Sequence, residues 1–204
     1  MAEDIEGAVE VAQDLVETTE LPNVEPVLTE VVPIAPVETA ESVLSDLHTL
    51  TQNMDYAAAI EKLTTLTTFG KLNKVSRVLA IQTYTGRAKE IAEANNILAA
   101  TYYEKAGQLN VQEEQFFSAF ENYKMATNLD DNNEQAMEEM LVLQKEIADK
   151  YHREASSAFR RQELDIAIAN WDKVLKVDPD HSSAKLYRAQ AIELKEKLLK
   201  LNQN

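Results

Sequence analysis

The chain of 204 residues carries 20 Lys and Arg against 35 Asp and Glu, a formal net charge of −15, and contains no Cys. That length buries the core of one domain with residues to spare, and the absence of Cys excludes disulfide staples, Cys-ligated metals and a thiol nucleophile. The acidic balance repels phosphate backbones, so nucleic acid is not an expected partner.

Residues 1–43 hold eleven acids and no Lys or Arg, with four of the five prolines, Pro22, Pro26, Pro33 and Pro36. Like charges repel and Pro removes backbone donors, which predicts a disordered acidic tail over 1–40 ahead of a helical domain over 41–204. Within the tail, Ile5, Ala8, Val9, Ala12, Leu15 and Val16 recur at helical spacing between acids. The stripe reads as a fraying helix or as a short amphipathic segment that docks in a groove. The opening MAEDIEG has neither a basic n-region nor an apolar h-region, so no secretion signal is read and the cytoplasm is the default compartment. No apolar run approaches the roughly 18–20 residues of a membrane span, so direct membrane insertion is not expected.

From 41 onward helix formers dominate, only Gly70, Gly86, Gly107 and Pro179 punctuate the chain, and no stretch alternates with period two. The fold class is therefore all-α. A first hairpin is predicted over about 42–69. Residues 71–106 read as one long helix, or as two collinear ones meeting near Gly86, and Lys105 before Gly107 reads as a helix C-terminus. A second hairpin spans about 88–129. Asn132 and Gln135 are spaced as a capping box that opens one overlong helix over 133–160, the first arm of a hairpin over 133–179. Asp178-Pro179-Asp180-His181-Ser182 ends that hairpin and caps a last amphipathic helix over 183–200.

One phrase occurs three times: LDIAIANWDKVLKVDP from Leu164, FFSAFENYKMATNLDD from Phe116 and DYAAAIEKLTTLTTF from Asp55. Aligned on Ala167, Ala119 and Ala59, each copy has a large residue four positions on (Trp171, Tyr123, Leu63) and a smaller one three further (Val174, Ala126, Leu66). A small residue followed by a large one on one helix face lets a neighbouring helix approach and lock. Ala167, Trp171 and Pro179 resemble the second helix of a bacterial-type tetratricopeptide repeat. Tyr151, Ala155 and Phe159 match its first helix, so the resemblance covers about 148–181. Ala99 and Tyr103 continue it more loosely in the middle copy. The copies lie 60 and 48 residues apart, against a repeat of about 34. The second excess is close to four helical turns, which keeps the apolar stripe in phase.

A search for chemistry finds little. His48, His152 and His181 stand in no ligand spacing, and Asp130-Asp131-Asn132-Asn133-Glu134 lacks the Gly and the final acid of a calcium loop. No phosphate cradle is present. Glu113-Glu114 and Glu138-Glu139 read as solvated faces, and Phe116, Phe117, Phe120 and Tyr123 as core. Neither a metal nor a cofactor is expected, and the chain does not read as an enzyme. The resemblance implies a non-catalytic scaffold presenting a groove to a protein or peptide. On that groove it places Asn96, Ala100, Tyr103 and Glu104 from the middle copy and His152, Ser156, Phe159 and Arg160 from the last. The positions that grip a C-terminal carboxylate in chaperone-binding relatives hold His152, Ser156 and Ser183, so that mode of capture is not implied. The alternative is a structural spacer or self-assembling subunit, possibly a piece of a bacterial envelope protein, in which case the compartment would be the periplasm or envelope.

Overall fold

The computed structural model describes residues 38–201; most of the predicted tail and its Ile5–Val16 stripe lie outside them. The described residues form eight helices and no strand: α1 (Ala40–Gln52), α2 (Tyr56–Thr68), α3 (Lys74–Ile91), α4 (Asn96–Gln112), α5 (Phe116–Leu129), α6 (Glu134–Arg160), α7 (Leu164–Val177) and α8 (Ser182–Leu201). None is long and apolar enough to cross a membrane. The domain begins slightly before the predicted boundary. Thr39 and Ser42 form a capping box on α1, and Glu38 pairs with Lys62 of α2 at 2.5 Å.

Side chains close most helix starts: Asp55, Asn73, Asn95 and Asn133 each accept from the backbone N–H three residues on. Asn133 is the cap of α6, one residue beyond the predicted Asn132. Helices end in two recurrent ways. After α1, α4 and α6 the chain makes the same Schellman turn, with Met54, Glu114 and Gln162 at φ near +60°. The next amide donates five residues back in each, Asp55 to Leu50, Gln115 to Asn110 and Glu163 to Ala158. After α5 and α7 the connection instead uses Asp130 and Asp178, whose Oδ1 atoms accept from Asn132 N–H and Asp180 N–H. Met54, Glu114 and Gln162 keep the 60- and 48-residue spacing of the sequence phrases, so the same turn precedes each copy.

The phrase's face is the core. Ala59, Ala119 and Ala167 have no exposure, and Leu63, Tyr123 and Trp171 at most 2 %. Each helix packs on its sequence neighbours, and α1 also touches α3. One core cluster gathers α1, α2 and the first half of α3 around Leu47, Leu63 and Leu79; a second runs from Ala88 of α3 to Ala191 of α8. The overlong helix over 133–160 is present as α6, 27 residues long.

Two helix ends fall elsewhere than predicted. Gly86 lies inside α3, and the break comes at 92–95, after which α4 doubles back antiparallel to α3. Arg77 near the start of α3 bonds Glu113 just past the end of α4 at 2.5 Å, and Tyr84 stacks on Tyr102 at 5.8 Å. Gly107 likewise lies inside α4. Both glycines serve close approach: a Cβ at Gly86 would sit 2.3 Å from the Tyr56 ring, and one at Gly107 2.9 Å from the Tyr123 ring. Glu113, predicted to face solvent, is 5 % exposed at its side chain because Arg77 neutralises it there.

Candidate functional site

The eight residues expected on a groove divide into three groups. Ala100 and Tyr103 are core, at 0 % and 3 % exposure, because α4 is covered by both α3 and α5. Phe159 is half-buried against Trp171, with ring centroids 5.8 Å apart, and Glu104 accepts from Gln108 and from Asn133. Asn96 is exposed but donates to Leu129 O, and Ser156 is half-buried. His152 stacks on His181 at 5.1 Å, and Arg160 is exposed. An open groove lined by Ala100 and Tyr103 is therefore ruled out: both are structural.

A concave site lies farther along α4, toward its C-terminal end, where Asn110 continues the buried face of Tyr103 seven residues on. A cleft of about 660 Å³ opens between α3 and the start of α5, with Tyr56 as one wall and Lys176 of α7 at the far rim. Such a volume suits a bound ligand of several residues or rings. Its position follows from local chemistry: the tight packing of Tyr56 on Gly86 sets α2 against α3, and the Schellman turn at Glu114 aims α5 back along α4.

Asn110 lies in the lining and is 1 % exposed. Its Nδ2 donates to Ala106 O at 2.9 Å, which fixes the amide, and its Oδ1 has no partner. A buried acceptor without a donor costs about 1–3 kcal/mol. Around it, the side chains of Gln82, Thr85, Gln115, Ser118 and Asn122 line the cleft and make no hydrogen bond within the described residues. Thr85 is exceptional. The other threonines of the described helices bond a carbonyl of their own helix or, for Thr83, the hydroxyl of Thr51.

The charges at the cleft are few: Lys89 is unpaired, while Lys176 lies 3.9 Å from Glu121 and 5.6 Å above the Phe117 ring. A smaller cleft of about 360 Å³ adjoins it, sharing Gln115, Phe117 and Ser118 and reaching Tyr151 and Lys150 of α6. There Phe117 and Tyr151 lie 5.4 Å apart, and Lys173 caps Tyr151 at 4.5 Å. The two clefts make one strip, amide-lined at one end and aromatic at the other.

Burial pushes the phenol of Tyr103 up, and that of Tyr123 to about 12 with Glu139 and Glu104 adding to it, so both stay neutral. No three His, Cys, Asp or Glu side chains gather as metal ligands among the described residues. Neutral amides and hydroxyls carry no sequence motif, so none of the cleft residues stands out in the sequence. Phe117 reads there as core and is half-buried at the floor of the strip. No family model, no curated protein and no solved structure matches the chain.

Proposed function

We propose that the domain is a non-catalytic interaction module, tetratricopeptide-like in its repeated helical hairpins, that takes an extended segment of a protein partner across α3 and α5. The observation that carries this reading is the buried, unpaired Oδ1 of Asn110 among side chains without partners. An extended polypeptide offers alternating N–H and C=O groups, which is what a lining of Asn, Gln, Thr and Ser answers. Phe117 and Tyr151 then offer an apolar seat for one side chain.

The test is selection of linear peptides from a random library on the full chain. A selected peptide should bind Gln115→Ala/Asn122→Ala at least tenfold more weakly, about 1.4 kcal/mol, and bind Asn96→Ala/Arg160→Ala unchanged. Failure to enrich any peptide, or equal binding to the first pair, removes the reading. A second reading, a self-assembling structural subunit, is favoured by the apolar groove of about 690 Å³ between α1 and α3, where Val75 and Val78 are exposed. A stable dimer at low micromolar concentration in light scattering would support it.

A further inference from the structure

The last helix is held by a small set of contacts. Only Ala184 and Ala191 of α8 are buried, and Leu186, Leu198, Leu199 and Leu201 are exposed. Tyr187 stacks on Trp171 at 6.0 Å, and the ion pairs Arg188–Asp172 and Lys195–Asp165 tie α8 to α7. A further contact is a pair of imidazoles. His152 of α6 stacks on His181 at 5.1 Å and leans on Tyr187 at 6.2 Å, while His181 Nδ1 accepts from Ala184 N–H at 3.2 Å and so caps α8.

We propose that this His152–His181 stack is an acid-sensitive latch that releases α8 from α6 and α7 below neutral pH. A proton on His181 Nδ1 turns the capping acceptor into a donor and sets a cation at the positive end of the α8 dipole. A proton on His152 as well would place two cations in one ring stack. His152 Nδ1 is buried with no partner, so a charged ring there has no compensating acceptor. Burial, then His181, hold the His152 imidazole below its usual value of 6.5, with Asp149 acting the other way. For a base held low in the fold, the stabilisation is complete above pH 6.5 and is lost as the pH falls from there toward the folded value.

Other charged groups surround the stack. Lys145, Asp149 and Asp178 line the cleft beside His181, Asp180 pairs with Lys185, and Asp172 is held by Arg188. Release bares Trp171 and the α7 face under Tyr187, an apolar surface available only in acid.

The experiment is amide hydrogen exchange and Trp171 emission of the full chain between pH 7.5 and 5.0. Exchange in α8, corrected for its intrinsic pH dependence, should accelerate at least tenfold while α4–α5 stays protected, and Trp171 emission should shift to the red. His181→Asn keeps a capping oxygen and His152→Phe keeps the stacked ring, and neither can titrate. The double variant should be as helical as wild type at pH 7.5 and should lose the transition, with each single variant weakening it. A flat wild-type response, or a transition of full size in the double variant, overturns the latch. Loss of helix in the double variant at pH 7.5 would shift the test to the single variants, where an unweakened transition in both overturns it.

Discussion

Trp171 is the largest fully buried side chain, 1 % exposed between Phe159 and Tyr187. Trp171→Ala leaves a cavity bounded by two rings and two helices, and should cost about 3–5 kcal/mol in urea unfolding. Its Nε1 is buried without a partner, so part of the indole's burial gain is offset by a stranded donor. The left-handed residue of each Schellman turn is a smaller matter of the same kind. Gln162 has φ 61° with a side chain and is exposed. Gln162→Gly removes the Cβ conflict and should raise stability by about 0.5–1 kcal/mol, read as a higher melting temperature.

At the scale of elements, the repeated phrase is legible in the sequence because it encodes burial: the Ala–large–small pattern lies on the buried face in α2, α5 and α7. The α3–α4 boundary is not. Gly86 and Gly107 look like breakers, yet both sit inside helices, where the missing side chain admits a tyrosine ring from the neighbouring helix. The break at 92–95 is made by Asn95, whose side chain caps α4, and one Asn carries little signal. Gly107→Ala gains helix propensity of about 1 kcal/mol but forces the buried Tyr123 ring to move, so a net loss of about 1–2 kcal/mol is expected in thermal unfolding. The α3–α4 hairpin is also pinned by Arg77 and Glu113. Glu113→Gln leaves Arg77 facing a neutral amide and should cost about 2 kcal/mol, the scale of a hydrogen bond to a charged group; an unchanged urea midpoint would show that the pair is idle.

For the whole molecule, packing reaches mainly from each helix to its sequence neighbours, so the groups left without partners are informative about what the surface is for. The expected groove residues derive from a pattern in which first-helix residues line a concave surface. Here α4 is sandwiched, which consumes Ala100 and Tyr103 as core, while neutral side chains too ordinary to attract notice in a sequence line the cleft between α3 and α5. Its site is therefore legible only in three dimensions. The most direct test is to titrate a library-selected peptide into isotope-labelled full chain and follow the backbone amide and side-chain NH₂ resonances. Binding in the cleft predicts shifts concentrated at Gln82, Thr85, Asn110, Gln115, Ser118 and Asn122. Shifts confined to α6 and α8 around Ser156 and Arg160 would contradict it.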